Sequence, residues 1–350
     1  MIKVGVIGCG KIAQVRHLPE YEANEHAKIA GVFDLNLKRA EEMAEKYGGK
    51  VYHSYEEMLA EEGIEAVSIC AANSAHCEIT VAALRAGKHV LCEKPMAITL
   101  DECERMVSAA KETGKYLMIG HNQRLAKAHS KARELYAQGE IGHIITFKTT
   151  FAHTGPETWT VDQKNIWFFD KKLAAFGAMA DLGIHKTDLI QFLIGQKVSA
   201  VTAYVGTLDK KDALGRLIGV DDNAIAIYQM DGGAVGTMTA SWTNYGPEDN
   251  STVLYGTNGV MRIYDDPNYS IIIEKKDGTK DHYKVDQIQS NENQTTSGVI
   301  DMWMDCIVNN HEPEISGEEA LCAMRAVFAV LQSSETRKMV EINREASLNE

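Results

Sequence analysis

The stretch Lys3-Val4-Gly5-Val6-Ile7-Gly8-Cys9-Gly10-Lys11-Ile12-Ala13 constrains the fold more than any other part of the chain. Val4 to Ile7 is a short apolar run suited to a strand buried on both faces. It leads straight into Gly8-x-Gly10-x-x-Ala13, after which Gln14 to Asn24 can continue as a helix. Gly8 permits a tight turn, Gly10 lets backbone approach a pyrophosphate, and Ala13 lets helix and strand pack closely. Lys11 and Ile12 belong to the same loop. Phosphates placed there meet the helix N-terminus, where free N–H groups and the macrodipole favour negative charge.

A glycine pattern alone is weak, and its context decides. A second apolar run, Ala27 to Phe33, ends in Asp34, 24 residues after Gly10. An acidic residue at about that offset accepts hydrogen bonds from the adenosine ribose hydroxyls. The competing reading is a plain tight turn, with Asp34 capping the helix that starts at Leu37. Strand, turn and helix in that order favour a dinucleotide. Asp34 would also repel a 2′-phosphate, and Leu35-Asn36 supplies no arginine, so NAD is the expected cofactor. Lys38 and Arg39 on the next helix keep NADP as the less favoured choice.

Short apolar strands and amphipathic helices then alternate strictly as far as Tyr116-Leu117-Met118-Ile119. That order specifies a doubly wound parallel sheet, a Rossmann domain over residues 1–122. Residues 123–350 read differently. A helix from Ala126 to Gln138 and a long alternating strand from Gly142 to Ala152 come first. A loop rich in Trp, Asn, Asp and Lys runs from His153 to Leu173, and a helix from Asp181 to Leu193. Strands follow over Ser199–Gly206, Ala224–Met230, Gly236–Trp242, Ser251–Gly256, Gly259–Tyr264 and Ser270–Lys275, and helices over Thr296–Asn310 and Ser316–Lys338. This is an α+β domain on an open, mostly antiparallel sheet. Helices cover one face of it, and homo-dimer or homo-tetramer formation would bury the other.

The net charge of −13 argues against nucleic acid and anionic membranes as partners. No apolar run approaches the ~18 residues of a membrane span, and the first strand leaves no room for a signal peptide. The seven cysteines are scattered without metal-ligand spacing, which suits reduced thiols in the cytoplasm. Cys9, inside the glycine loop, is the one whose modification would block a cofactor.

Several stretches could carry chemistry. Glu93-Lys94-Pro95 follows the strand His89–Cys92, at the edge where doubly wound sheets bind ligands. Lys94 can there stabilise charge on a substrate oxygen, or be a surface lysine in a turn. Asp181 and His185 stand four apart on a helix, so both project from one face. One can bind a hydroxyl while the other takes its proton, with Asp188 orienting the imidazole. The alternative makes Asp181 a helix cap and His185 a buried structural histidine. Asn73 could meet the nicotinamide ribose or cap the next helix, and His76 could line the same pocket. Gly120-His121-Asn122-Gln123-Arg124 places polar groups where the two domains meet. Trp159, Asn165 and Trp167 suit a polyhydroxylated ring, although tryptophans also serve as packing. No arginine cluster awaits a phosphate or carboxylate substrate.

Together these stretches resemble the Gfo/Idh/MocA oxidoreductases, the family of glucose–fructose oxidoreductase and the inositol 2-dehydrogenases. The resemblance covers nearly the whole chain. It rests on the Gly8–Ala13 loop, Glu93-Lys94-Pro95, Arg124, and Gly177 through Asp181-Leu182-Gly183-Ile184-His185. It implies an NAD(P)-dependent dehydrogenase acting on a secondary hydroxyl of a sugar, inositol or glycoside, with Lys94, Asp181 and His185 as the catalytic set. The implied cofactor contacts are Gly8, Gly10, Lys11, Ile12, Asp34, Asn73, His76, Glu93 and Arg124. The implied substrate contacts are Lys94, Trp159, Asn165, Trp167, Asp181 and His185, with no metal. Two departures stand out: Ala71-Ala72-Asn73 lacks the threonine many relatives carry, and Phe176-Gly177 replaces a glycine pair, which should reshape the pocket. Two other activities fit the same resemblance. One is a glycoside-modifying enzyme that recycles bound NAD, by oxidation, elimination and reduction or by sugar-to-sugar hydride transfer. The other is a dinucleotide-sensing regulator without catalysis.

Overall fold

The opening apolar run forms β1 (Ile2–Ile7), and both its faces are covered. The computed structural model describes residues 1–162, 166–288 and 296–342. Five strands join β1 in one sheet: β2 (Ala27–Phe33), β3 (Lys50–Val51), β4 (Ala66–Ile69), β5 (His89–Cys92) and β6 (Leu117–Ile119). Every pairing in it is parallel, in the order β3-β2-β1-β4-β5-β6. The order reverses between β1 and β4, which opens a crevice at the carboxyl ends of the strands. Between the strands run α1 (Leu18–Ala23), α2 (Leu37–Tyr47), α3 (Tyr55–Leu59), α4 (His76–Arg85) and α5 (Leu100–Thr113). Asn36, Ser54 and Thr99 cap α2, α3 and α5 with their side chains.

One helix departs from its expected form. Instead of an unbroken helix from Gln14, a π-helical turn over Ala13–His17 precedes α1. Pro19 lies in the first turn of α1 and has no N–H to return to the preceding turn. The Leu18 N–H closes the wider turn instead, donating to the Ala13 carbonyl five residues back. The wide turn sends Arg16 and His17 inward, where both are buried.

The second sheet holds β7 (Ile144–Ala152), β8 (Val198–Gly206), β9 (Asn223–Met230), β10 (Val235–Ser241), β11 (Thr252–Gly256), β12 (Gly259–Ile263), β13 (Ile271–Lys275), β14 (Lys280–Tyr283) and β15 (Val340–Glu341). Its order is β14-β13-β12-β11-β7-β10-β9-β8-β15. Among the described residues only its β7–β10 pairing is parallel. The remaining helices are α6 (Lys127–Ala137), α7 (Lys171–Ala174), α8 (Ile184–Ile194), α9 (Val299–Val308) and α10 (Gly317–Thr336). Along β9 the inward residues Ala224, Ala226 and Tyr228 are fully buried, while Ile225 and Ile227 are about half exposed. Tyr204 on the neighbouring β8 is also exposed, so this sheet keeps an uncovered apolar face.

Every residue of α8 is buried, although it contains Lys186, Thr187, Asp188 and Gln191. Each of these polar groups has a partner: Lys186 bonds the Asn250 carbonyl, Thr187 the Tyr228 hydroxyl, Asp188 is held by Arg124, and Gln191 bonds the Thr187 carbonyl. The apolar stripe Ala323, Ala326, Val327 and Val330 of α10 is buried, and that helix touches both α5 and β8. α9 packs where the sequence did not place it. Val299, Ile300, Trp303 and Met304 join a core with Val4, Val6, Leu18, Leu91 and Met118, on the first sheet. Among the described residues no helix is long and apolar enough to cross a membrane.

Candidate active site

A cleft of about 1910 Å³ runs from the carboxyl ends of β1, β4 and β5 to the N-terminal side of α8. Single drug-sized ligands occupy pockets of about 300–1,000 Å³, so this one has room for a dinucleotide and a second molecule. Gly8, Gly10, Lys11 and Ile12 line one end. Gly8 has φ +90°, and a Cβ there would meet the Cys70 carbonyl oxygen at 2.6 Å, so the turn requires glycine. A Cβ on Gly10 would point into open space, which leaves its backbone free for close approach by a phosphate. The π-helical turn begins just beyond, and the Gln14 N–H donates to the Gly10 carbonyl at 3.1 Å. The loop therefore fits a pyrophosphate.

Asp34 ends β2 at the same edge. One carboxylate oxygen accepts the Cys9 N–H at 2.7 Å and the other the Asn36 N–H at 2.7 Å. Arg39 lies 3.6 Å from it and forks onto Asp162 at 2.7 and 2.9 Å, spanning from the first sheet to the loop after β7. Arg39 is thus already engaged by two carboxylates. Asp34→Ala should raise the Kd for NAD by about 10–100-fold, the range for one hydrogen-bonded charge, as read by fluorescence titration. Unchanged affinity would remove Asp34 from the site. Cys9 is fully buried beside Asp34, and burial pushes its thiol up to about 12. The thiol is therefore shielded from reagents in solution.

Glu93-Lys94-Pro95 leaves β5 at the cleft floor, with a cis bond between Lys94 and Pro95. Glu93 is buried and accepts a hydrogen bond from His17 Nε2 at 2.9 Å, and the other nitrogen of His17 meets the Ser68 hydroxyl. Burial alone would raise its pKa, but His17, Arg16 and Lys94 bring it down to about 2. His76 places Nδ1 2.8 Å from the Pro95 carbonyl and Nε2 3.1 Å from that of Ala71. It lines the cleft and braces the turn that carries Lys94. Asn73 makes no cap; it donates to the Ala174 carbonyl at 3.0 Å, joining α7 to the first sheet.

Opposite, Phe176-Gly177 opens a second π-helical turn over Met179–Gly183, which leads into α8. Asp221 accepts the Gly177 and Met179 N–H groups at 2.6 and 2.8 Å and caps this turn. A Cβ on Gly177 would lie 1.9 Å from the Asp221 carbonyl oxygen, so only glycine permits the cap. The turn carries Asp181 inside the helical segment, not at a cap position. Lys94 Nζ donates to Asp181 Oδ1 at 3.0 Å and to its carbonyl at 3.0 Å. Trp242 Nε1 donates to Asp181 Oδ2 at 3.1 Å, and His153 Nε2 lies 3.9 Å from the same oxygen. Burial opposes the charge on Asp181, but Lys94 and then His153 outweigh it and hold the carboxyl below its usual pKa.

His185 lines the cleft one turn further on. Burial pushes its pKa well below the histidine range, and the charges of Lys94, His121, Arg16 and Lys186 add to this. Its Nδ1 is buried without a hydrogen-bond partner among the described residues. Asp188 does not orient it. Arg124 holds Asp188 through Nε and Nη2, at 2.7 and 2.5 Å. That buried pair draws Arg124 behind the cleft, and it is not among the lining residues.

Trp159 and Trp167 line the cleft with Phe168, on which Trp167 stacks at 4.0 Å and Trp159 stands edge-on at 5.1 Å. Phe176 reaches the same wall, backed by Phe328 at 5.9 Å. Asn165 lies outside the described residues. Sequence reasoning missed His153 and Trp242, the supports of Asp181, because neither stands in a local pattern with it.

The family description "Oxidoreductase family, NAD-binding Rossmann fold" matches residues 2–121, and the Gfo/Idh/MocA C-terminal domain matches residues 129–262. The chain is 24% identical to a myo-inositol 2-dehydrogenase of Thermotoga maritima over 344 residues, 97% of this chain and 98% of the relative. It is 32% identical to a D-glucoside 3-dehydrogenase of Escherichia coli over 206 residues, 58% of this chain and 57% of the relative. A levoglucosan dehydrogenase solved with NADH and L-sorbose superimposes with a TM-score of 0.84 at 22% identity, covering 98% of this chain and 99% of that one. With a parallel NAD-binding sheet, a glycine loop that fits a pyrophosphate and both family regions matched, the chain belongs to the Gfo/Idh/MocA family and is an NAD(P)-dependent oxidoreductase.

Proposed function

We propose that the protein oxidises a secondary hydroxyl of a sugar, inositol or glycoside with NAD, using Lys94, Asp181 and His185. The observation that carries this reading is the Lys94–Asp181 contact of 3.0 Å across the cleft, with His185 beside it. Gly8, Gly10, Lys11, Ile12 and Asp34 would hold the pyrophosphate and ribose, and Asn73, His76 and Glu93 the nicotinamide end. Bound there, NAD supplies the acceptor for the hydrogen and two electrons that leave the alcohol carbon. The chain supplies the rest. His185 takes the hydroxyl proton, being a neutral imidazole at pH 7. Lys94 donates a hydrogen bond to the oxygen as negative charge grows on it. Asp181, fixed by Trp242, holds the lysine in place and accepts from a neighbouring hydroxyl. Trp159, Trp167 and Phe168 offer apolar faces to the C–H surface of a ring.

Residues 1–122 would form the cofactor domain and 123–350 the substrate domain. The exposed Tyr204, Ile225 and Ile227 support association of two or four copies through the second sheet. All seven cysteines are free, which fits the reducing cytoplasm. The test is NADH absorbance while the purified protein and NAD meet a panel of inositols, aldoses and glycosides, with bound cofactor quantified on the same sample. NADH accumulating with one polyol establishes the reaction. Tightly held cofactor and altered sugar without free NADH would instead establish recycling, and retained NAD with no turnover would overturn an enzymatic role.

A further inference from the structure

Behind the cleft two histidines face each other in the buried interior. His121 follows β6 and is 1% exposed. Its ring stands edge-on to that of His185, with centroids 6.4 Å apart and an interplanar angle of 81°. Neither nitrogen of His121 nor Nδ1 of His185 has a hydrogen-bond partner among the described residues. Buried polar atoms are seldom left so, and three of them together mark a site with a task. The rings are too far apart for a direct N–H···N bond and close enough for one water to join them. His121 is absent from the cleft lining, so substrate reaches His185 alone.

The surrounding charges run in one direction. Facing His185 are Lys94 after β5 and Arg16 from the first π-helical turn, both cationic, and Lys186 on α8, whose own pKa burial lowers to about 7. Facing His121 are Asp188 on α8 and Glu93 after β5, with Arg124 and Lys94 opposing them. A proton on His185 therefore sits among cations, whereas one on His121, though burial opposes it too, has the Asp188 carboxylate in view. The difference in surroundings favours passage inward.

Resting on the dehydrogenase reading, we propose that His121 is a positioning and proton-holding partner of His185, the two imidazoles sharing the proton released by the substrate. The hydroxyl O–H bond breaks and its proton joins His185 Nε2. The proton already on His185 Nδ1 passes through the bridging water to His121, whose ring becomes the imidazolium. The hydrogen and electron pair from carbon go to NAD. In the reducing direction each transfer reverses, and atoms and charge balance.

The test uses the full chain labelled with 13C in its histidine rings, together with His121→Phe and His121→Gln. In the unaltered protein the His121 and His185 resonances should titrate as a coupled pair, each showing both steps. In His121→Phe, which keeps a ring of similar shape, His185 should titrate in one step at a moved midpoint. Both variants should lose about tenfold or more in kcat at unchanged KM for NAD, with the pH profile of kcat displaced. Independent titration of the two histidines would overturn the proposal, as would a folded variant with unaltered kcat and pH profile. The titration needs no substrate, so it decides the pairing even where the polyol panel fails and the dehydrogenase reading falls.

Discussion

His185→Ala is expected to lower kcat by about 10²–10⁴-fold, or roughly 3–5 kcal/mol of barrier, because it removes the group that accepts the hydroxyl proton. The loss should fall on kcat and kcat/KM together and leave the Kd for NAD unchanged, since the imidazole acts on the reacting oxygen. The same residue sets the pH dependence. Oxidation needs the neutral ring, and burial lowers the pKa of His185. A lowered pKa means that the ring stays neutral until the pH falls well below the ordinary value of about 6.5. Oxidation should therefore be level from pH 6.5 upward as far as this group is concerned, and decline only in acid. Reduction needs the imidazolium and should quicken as the pH falls. Steady-state rates in both directions from pH 4.5 to 9, a range of about two units either side of the ordinary value, check the sign. An oxidation limb with its midpoint above the usual histidine value would contradict the burial argument, and unchanged turnover in the alanine variant would remove His185 from the chemistry.

Arg124→Met should destabilise the fold by about 3–5 kcal/mol, the penalty for leaving one member of a buried ion pair alone. Asp188 is 1% exposed, and its charge is tolerated because His121 and Arg124 face it, the latter through two hydrogen bonds. The pair also joins the turn after β6 to α8, so its loss loosens the junction between the two sheets. Replacing both members, Arg124→Met with Asp188→Leu, should recover much of the stability, because no uncompensated charge remains. Urea unfolding of the three proteins measures this directly. If the single variant unfolded at the same urea concentration as the parent, the pair would be energetically idle.

The first sheet was legible because its signals are local. The Gly8–Ala13 spacing, the strand before it and the offset to Asp34 all concern residues whose distance in sequence sets their distance in space. The alternation from Gly142 to Ala152 likewise marked the strand β7. Periodicity reports that a face is buried, but not what buries it. Lys94 and Asp181 lie 87 residues apart, Trp242 stands 61 beyond Asp181, and nothing in either neighbourhood announces the other. Asp188 illustrates the same limit. Its spacing from His185 suggested a catalytic partner, while a buried arginine 64 residues earlier holds it. The π-helical turns escaped a reading based on the α-helical period, although Pro19 and Gly177 are their local marks. β14 and β15 were missed because each is short and lies at a sheet edge, where one partner strand suffices.

The placement of α9 bears on how the protein is made. The helix shares a core with β1, β5 and β6 on one face, yet it is encoded some 180 residues after β6 ends. A chain emerging from the ribosome through residue 122 has all six strands of the nucleotide-binding sheet and lacks the cover for Val4, Val6 and Met118. Domains usually fold as units, N-terminal first, while synthesis proceeds. Here the nucleotide-binding sheet waits for a helix encoded after the strands β7 to β14. A message cut short before Val299 yields a product with its glycine loop intact and that apolar surface open to water, a substrate for chaperones or proteases.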